Sequence, residues 1–591
     1  MPTLEFKGKQ FVHSHHLSVP FRQLEVDKSK SLSDKPDLDG NLIIHGDNLH
    51  ALKALLPQYA GKVKCIYIDP PYNTGNEGWC YNDKVNSPLI REWLKKSANP
   101  VDKEDLERHD KWLCLMLPRL KLLQELLSEQ GVIFCSIDEN EHQHLRMLMD
   151  DIFDEENFIA EFIWNSSGHS DNQYDVKINH EYILCYAKNN ELCSLGHVVD
   201  PNTREESNLW KGFAENSITK NGPKNPPSTV ELPVGFPCHA DELSLDKHEI
   251  DVSFYSEIKK HGYISRENTK KHSVSYPIRK DNMLVSKGRL IKPCNVYAGW
   301  ANLNKLKEFI SSGCKPISDS SGDKVTFYLS KKGVIYYKKE RSKARNILSV
   351  LSNMGTTEKM RADLETVGIK FQYPKPVELV SYLIQISGAG DGDVILDSFA
   401  GSGTTAHATL ALNNKDDKKR KFILVECEEY AHEKTAERVR LAIAGASSPK
   451  NEFLQQGLGG AFTFCTLGEE MNVEGLLKAD KMPDYEALAR YVFYTATGKV
   501  LDKVAKASGD YFIGETDLYR VHLIYKPEQE FMRNNESALN AEMVERIADS
   551  NTSGKKCLVF ASAKFMGQKE LNSKKIDFCQ LPYAIHRVLG D

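Results

Sequence analysis

The chain has 591 residues, of which 40% are hydrophobic and 27% charged, with a net charge of −5. That is the composition of a water-soluble globular protein too long for one core, so three or four domains are expected. No stretch approaches the ~20 apolar residues of a membrane span, the start MPTLEFKGKQFVHSHH lacks the features of a secretory signal, and the 13 cysteines form no CxxC pair, which disfavours a zinc knuckle or disulfide framework and fits a reducing cytoplasm.

Residues 1–40 are polar with no clear period and read as an N-terminal extension. His13, His15 and His16 are expected on an exposed tail, and no metal site is expected. The apolar run LIIH (42–45) reads as a strand, followed by Gly46-Asp47-Asn48 and the helical pattern LHALKALL. VKCIYI (63–68) is a short apolar run stopped by DPPYNTG. Such a run reads as a buried parallel strand delivering a loop at its C-terminal edge, where ligands bind in open α/β sheets. KWLCLMLPRLKLLQELLSEQ (111–130) reads as a long amphipathic helix with a possible kink at Pro118 and Gly131 as its C-terminal cap. GVIFCSI (131–137) is the next strand, and a helix follows around HQHLRMLMDDIF. FIAEFIW (158–164) and HEYILCYAK (180–188) read as an antiparallel pair at a sheet edge, separated by a polar turn.

Residues 191–350 lack this rhythm and are rich in Pro, Gly, Asn and Lys. Between Lys259 and Arg345 stand 21 Lys/Arg against 6 Asp/Glu, a net of +15, while the rest of the chain carries −20. A basic segment of this kind is the footprint of a phosphate-backbone partner, although a solvated face has the same composition. Tyr263, Tyr276, Tyr297, Trp300, Phe327, Tyr336 and Tyr337 are interleaved with the charges, which favours a folded module over a disordered tail. Lys259, Lys260, Arg266, Lys270, Lys271, Arg279, Lys280, Lys287 and Arg289 are the candidate contacts to double-stranded DNA.

The α/β rhythm returns over 351–450. FQYPKPVELVSYLIQI (371–386) is a loop and helix, DVILDSF (393–399) a strand, AGSGTT (400–405) a Gly-rich turn into a helix, and KFILVE (421–426) a strand ending on an acid. In 451–591 the runs YVFYTATG (491–498), YRVHLIYK (519–526), CLVFASAKF (557–565) and IDFCQLPYAI (576–585) are β-rich and read as a separate small α/β domain. No internal repeat and no GxxxxGK[ST] occurs, so the chain encodes no nucleotide-driven motor.

Three constellations carry chemistry. An aromatic amine is a poor nucleophile because its lone pair is delocalised into the ring. In Asp69-Pro70-Pro71-Tyr72, a carboxylate and a backbone carbonyl could accept both amine hydrogens, the prolines remove N–H donors and stiffen the turn, and Tyr72 offers a face for a base to stack on. A base in duplex must flip out to reach such a pocket. The alternative is a chance Pro-rich turn. The second constellation is Asp397 followed by Phe399-Ala400-Gly401-Ser402-Gly403-Thr404. Its glycines let backbone amides approach a ligand at a helix N-terminus, and a side chain at Gly403 is expected to fill that space. Glu426 ends the next strand 23 residues after Gly403, the placement of an acid that takes ribose hydroxyls. The third is Asp47, which could accept from an adenine or simply cap a helix. Lys375 opens a helix beside the Gly-rich strand.

Together these blocks resemble the β class of amino-methyltransferases, in which DPPY precedes FxGxG and a target-recognition domain lies between. The matching stretches are GDN, DPPYNTG (69–75), the LPRLKLLQELLSEQGVIFCSIDENE run, HEYILCYAK, YPKP (373–376) and FAGSGTT (399–405). The resemblance implies an α/β fold, a seven-stranded, Rossmann-like S-adenosylmethionine-dependent methyltransferase sheet with circularly permuted motif order. It implies a catalytic half over 41–190, an inserted target-recognition domain over 191–350, a cofactor half over 351–450 and a small C-terminal α/β domain over 451–591. Asp69, Pro70, Pro71 and Tyr72 would then be catalytic, and Asp47, Lys375, Asp397, Phe399, Ala400, Gly401, Ser402, Gly403, Thr404 and Glu426 would hold S-adenosyl-L-methionine. The acidic first letter of DPPY resembles the adenine-N6 members. The size, the basic insert and the LIYK, LVFASAKF and CQLPYAI runs resemble the modification subunit of type III restriction–modification systems. That likeness implies a cytoplasmic homodimer, dimer or partner contacts through 451–591, and a separate ATP-dependent helicase–nuclease subunit. An orphan DNA adenine methyltransferase and a catalytically silent DNA-recognition subunit are the alternatives.

Overall fold

The computed structural model describes the chain apart from residues 1–3, 76–106, 167–175, 177, 208–211, 320–321, 341–345, 447–451, 471–481, 506–508 and 582–591. Two units emerge. One combines Met1–Gly196 with Leu348–Asp591, and the other is His197–Ile347.

The first unit is built on ten strands: β1 (Arg22–Leu32), β2 (Leu42–His45), β3 (Val63–Ile68), β4 (Leu127–Ile137), β5 (Phe158–Asn165), β6 (His180–Ala187), β7 (Val350–Leu351), β8 (Val394–Asp397), β9 (Lys421–Glu426) and β10 (Phe462–Glu470). Their order is β1-β10-β2-β9-β8-β3-β4-β6-β5-β7. The central seven, from β2 to β5, are parallel except for β6, which runs antiparallel to both β4 and β5. This is the seven-stranded sheet expected, with β10 and β1 added at one edge and β7 at the other. Its short apolar strands are buried on both faces, as parallel strands between helical layers must be. Ile44, Leu396, Ile423 and Val425 pack on the face covered by the helices Asn48–Tyr59, Arg108–Leu126 and His142–Phe153. Ile43, Phe422 and Leu424 pack on the opposite face with Ala406, Leu410 and Val439. Because β2, β3, β8 and β9 are parallel, their carboxyl ends bring Asp47, Asp69, the Gly-rich turn and Glu426 to one sheet edge.

Four local readings are corrected. The long helix ends at Leu126, and Gly131 lies inside β4. A Cβ there would stand 2.8 Å from both the Val63 carbonyl and the Leu127 side chain, so glycine serves close strand packing rather than a cap. The N-terminal extension contributes β1, which pairs with β10 through Leu24↔Leu467 and Val26↔Cys465. His15 and His16 are buried, and burial pulls His16 down to about 3. YVFYTATG lies in the helix Tyr485–Thr497, which Asp484 caps by accepting from the Glu486 and Ala487 amides. Leu488, Tyr491 and Val492 from that helix join the main core of the unit.

The C-terminal runs form a four-stranded sheet of Phe512–Glu515, Tyr519–Leu523, Lys556–Ala561 and Ile576–Gln580. The last residues of the CQLPYAI run, 582–585, and most of the turn after FIAEFIW lie outside the described residues. The second unit has a four-stranded antiparallel sheet, two three-stranded sheets and the helices Val252–His261, Arg266–Lys271 and Leu303–Ser311. Its core includes Phe236, Trp300, Phe309 and Phe327.

Candidate active site at the carboxyl edge of the parallel strands

A cleft of about 570 Å³ opens along this edge of the first unit. It is lined by Asp47, Asp69, Pro71, Lys375, Asp397 and the stretch from Phe399 to Ser402, with Thr404 and Glu426. Of the residues expected around a cofactor, only Gly403 does not line it. Phe371 and Tyr430 stand at one wall, their rings 5.7 Å apart edge to face.

The DPPY turn leaves β3 at Asp69. The Tyr72 hydroxyl lies 2.8 Å from Asp69 Oδ1 and 2.7 Å from Glu181 Oε2, the latter on β6. Lys375 donates to Asp69 at 2.9 and 2.7 Å and to the Tyr72 oxygen at 2.8 Å, and its Nζ is 3.4 Å from Glu181. The two carboxylates raise the Lys375 ammonium against a desolvation that works the other way. Burial pushes the Tyr72 phenol far up, so it stays protonated. Trp112 donates its indole N–H to the Pro71 carbonyl at 2.7 Å. Of the four DPPY residues, Asp69 and Pro71 line the cleft, while Pro70 and Tyr72 do not.

Below the turn, Asn73 adopts φ 61° and donates to Glu141 Oε1 at 2.5 Å. Glu141 is wholly buried and also meets His109 Nδ1 at 2.6 Å and His144 Nδ1 at 2.7 Å. The Glu141 hydrogen bond raises His144. These three side chains could place ligand atoms within 4.8 Å of one another. In the observed arrangement they form a hydrogen-bonded hub that fixes the left-handed residue after Tyr72.

The Gly-rich turn is clasped from several sides. Asp397 accepts the Thr405 hydroxyl at 2.6 Å and the Phe399 amide at 3.0 Å. Burial raises Asp397 to about 7. Glu426 accepts the Gly401 amide at 2.7 Å and the Glu428 amide at 3.0 Å, and burial raises it to about 7 as well. The Thr404 hydroxyl donates to the Lys375 carbonyl at 3.1 Å, tying this turn to the YPKP segment. Arg438, fully buried, donates to the Ser402 and Thr404 hydroxyls at 2.6 and 2.8 Å, and burial lowers it to about 9. Asp47 caps its helix by accepting the His50 amide on Oδ1, its Oδ2 stands 3.5 Å from Arg119, and both side chains line the cleft.

Two residues sit differently from expectation. Lys375 points its ammonium at the Asp69 carboxylate, and only its backbone carbonyl meets the Gly-rich turn. Gly403 has φ 82°, and a Cβ there would meet the Thr435 carbonyl at 3.1 Å, so its missing side chain makes room for the helix behind the turn rather than for a ligand. Glu181, Trp112, Glu141 and Arg438 contact the DPPY and Gly-rich turns and are candidates that sequence reasoning misses. Glu181 lies within the HEYILCYAK match, but a carboxylate at a strand start has no spacing signature. Only the pairing of β4 with β6 carries it to the site.

In the second unit the candidate DNA contacts Lys259, Lys260, Arg266, Lys270, Lys271, Lys280, Lys287 and Arg289 are exposed, and Arg279 is half-buried. Arg279 donates to the Asp246 carbonyl at 2.9 Å, and Lys271 pairs with Glu257 at 2.5 Å. The remaining exposed cations hold no ion pair among the described residues.

A family model described as DNA methylase matches residues 63–438. The chain is 32% identical over 452 residues to the type III restriction-modification enzyme EcoPI Mod subunit of Escherichia phage P1, covering 72% of this chain and 64% of that one. It is 30% identical to the type III restriction-modification enzyme EcoP15I Mod subunit of Escherichia coli, covering 73% and 65%. The chain thus spans a little less than two thirds of the length of these relatives. It is also 28% identical to the type II methyltransferase M.KpnI of Klebsiella pneumoniae, covering 68% of this chain and 84% of that one. The matched span runs from β3 with its DPPY turn, through the inserted unit, to the helix that backs the Gly-rich turn, and on it the chain belongs to the DNA methylase family.

Proposed function

We propose that the protein transfers a methyl group from S-adenosyl-L-methionine to N6 of adenine in duplex DNA, as the modification and recognition subunit of a type III restriction–modification system. One observation carries the reading: the Asp69 carboxylate shares one sheet edge and one cleft with the Gly-rich turn and Glu426. The cleft fits an adenosine-containing cofactor. Glu426 is a buried carboxylate at a strand end beside Gly401, whose φ of 51° keeps the backbone bare there. Glu426 and Asp47 would hold the ribose and adenine, and the amides of the Gly-rich turn would meet the carboxylate end. Bound there, S-adenosylmethionine supplies a methyl group made electrophilic by its sulfonium.

The chain's own residues do the rest. Asp69 and the Pro70 carbonyl accept the two N–H bonds of the target amine, which localises its lone pair and orients it. The flipped base stacks on the Tyr72 ring. Trp112 and the Glu141 hub hold the turn rigid, so that these acceptors are preorganised where charge develops. Exposed lysines and arginines of the second unit supply phosphate contacts, which give affinity and register, while base contacts give sequence. The type III assignment draws on the two Mod subunits. The likeness to M.KpnI, a type II methyltransferase, keeps a methyltransferase outside a type III system as the second reading, an orphan enzyme among them.

The test is to express the chain in a methylation-free host and sequence its DNA with a method that reads N6-methyladenine. Methylated adenine at one short motif is the expected result. DNA without methyl groups would support the silent recognition subunit, and methylated cytosine would overturn the adenine assignment.

A further inference from the structure

We propose that Tyr72 and Glu181 form a proton exit path from the reacting amine, with Glu181 as the terminal acceptor. This rests on the proposed adenine methylation. Tyr72 owns a single hydroxyl hydrogen, yet its oxygen lies within 2.8 Å of carboxylate oxygens on both sides, Asp69 Oδ1 and Glu181 Oε2. The phenol hydrogen can lie on only one side at a time, so Tyr72 can give its hydrogen to one carboxylate while its oxygen accepts a proton from the other. Lys375 donates to the phenol oxygen and to Asp69, and stands 3.4 Å from Glu181, so one buried cation balances the group whichever carboxyl holds the proton.

The reaction supplies that proton. Forming the N6–carbon bond, while the carbon–sulfur bond breaks and its electron pair stays on sulfur, leaves the amine nitrogen with one hydrogen too many. Asp69, already an acceptor for that nitrogen, takes the proton. Asp69 passes it to the Tyr72 oxygen as the Tyr72 hydrogen moves to Glu181. Asp69 and Glu181 are about equally exposed in the free protein, at 22% and 21%; with the target base seated on Asp69, Glu181 is the carboxylate left open to release the proton to water. No net charge is stranded in the cleft, and the DPPY tyrosine does more than stack.

Tyr72→Phe separates the two roles of that residue, because it keeps the ring and removes the hydroxyl. Methyl transfer to a DNA duplex carrying the mapped site is measured with labelled S-adenosylmethionine. Tyr72→Phe and Glu181→Gln should each lower kcat by tenfold or more with KM for DNA within about threefold, in the range of general-base contributions. The double variant should be no slower than the slower single, since both break one path. Formate should restore part of the activity of Glu181→Ala, and should leave Tyr72→Phe unchanged. Isothermal titration should show S-adenosylmethionine bound by both single variants as by the wild type. Normal kcat in either single variant, a multiplicative drop in the double variant, or absence of formate rescue would each overturn the path. Absence of adenine methylation by the wild-type chain itself would instead remove the parent reading.

Discussion

The Lys375 ammonium lies 2.7 Å from Asp69 Oδ2, an ion pair between residues 306 positions apart in sequence. The two come from opposite ends of the family match and meet because β3 and β8 are neighbours. The pair is sheltered, with Lys375 9% and Asp69 22% exposed. Lys375→Ala should leave Asp69 and Glu181 without their shared cation. Removing one member of a sheltered pair costs about 3 kcal/mol, read as a lower urea midpoint. Turnover should fall at least tenfold while S-adenosylmethionine affinity stays within a few fold, because the lysine faces the target side. A large drop in cofactor affinity with normal turnover at saturation would return Lys375 to the cofactor.

Gly403→Val should destabilise the protein rather than block the cofactor. Its φ of 82° disfavours any side chain, most of all a β-branched one, and the added atoms would press on the Thr435 carbonyl at 3.1 Å. Strained left-handed residues cost about 1–3 kcal/mol. The expected result is a lower melting temperature, with near-normal cofactor affinity by calorimetry in the folded fraction at low temperature.

These two residues show how far the sequence can be read. The motifs and the seven strands are legible because short apolar runs stopped by turn residues mark parallel strands, and their polar ends mark the ligand edge. What Lys375 touches is not legible, since it stands just before the helix Val377–Ile386 and its partner Asp69 follows a strand and lies 306 positions earlier, so only the tertiary fold brings them together. Gly403 departs from expectation for a related reason. Sequence shows that a Cβ is excluded but not which neighbour excludes it. YVFYTATG is β-rich in composition, yet Asp484 caps the helix that holds it and its own last residue, Gly498, closes that helix, and its apolar residues follow the face that packs on the core.

Cofactor affinity and stability should respond to pH through Glu426. Burial raises this carboxyl to about 7, above its ordinary value near 4.5. A raised acid holds a proton in the folded state that the unfolded chain has released. Its contribution is therefore fully present below about pH 4.5 and is lost as pH rises through about 7. At 1.36 kcal/mol per unit this amounts to roughly 3 kcal/mol. Asp397 adds a contribution of the same sign. Urea melts of the unliganded protein at pH 5 and pH 8 should differ less in Glu426→Gln than in the wild type. Ionised Glu426 is the better acceptor for ribose hydroxyls, so S-adenosylmethionine should bind more tightly at pH 8 than at pH 6. Glu426→Ala should weaken it by roughly 1–3 kcal/mol. An identical pH response in the Gln variant would show that Glu426 is not the titrating group.

Neutralising Lys259, Lys260, Arg266 and Lys270 together should weaken DNA binding and flatten its salt dependence. For every phosphate no longer neutralised, the log–log slope should shrink by about 0.9. Neutralising Lys271 should add little, because Glu257 already holds it at 2.5 Å. Fluorescence anisotropy across a salt series reads both quantities. An unchanged slope in the fourfold variant would mean that this surface is only solvated.

The protein is expected to pair with itself and with an ATP-dependent nuclease subunit. Two of its relatives are Mod subunits of type III restriction-modification enzymes. Beyond the last strand of the main sheet it adds a four-stranded sheet and several helices that methyl transfer does not require. That sheet packs its own core around Ile524, Phe531 and Val559, and leaves Leu518 and Phe565 exposed at 70% and 60%. Scattered apolar side chains of this kind are common on surfaces, so their exposure alone decides nothing, and mass must. Light scattering at micromolar concentration should give about twice the 66.9 kDa chain mass. Leu518→Lys with Phe565→Lys should return the protein to single-chain mass while S-adenosylmethionine binding is retained, if this sheet forms the interface. A neighbouring reading frame should encode a helicase with a nuclease domain that co-purifies with the chain. A strict monomer without such a neighbour, still methylating adenine, would leave the methyltransferase standing and make it an orphan enzyme.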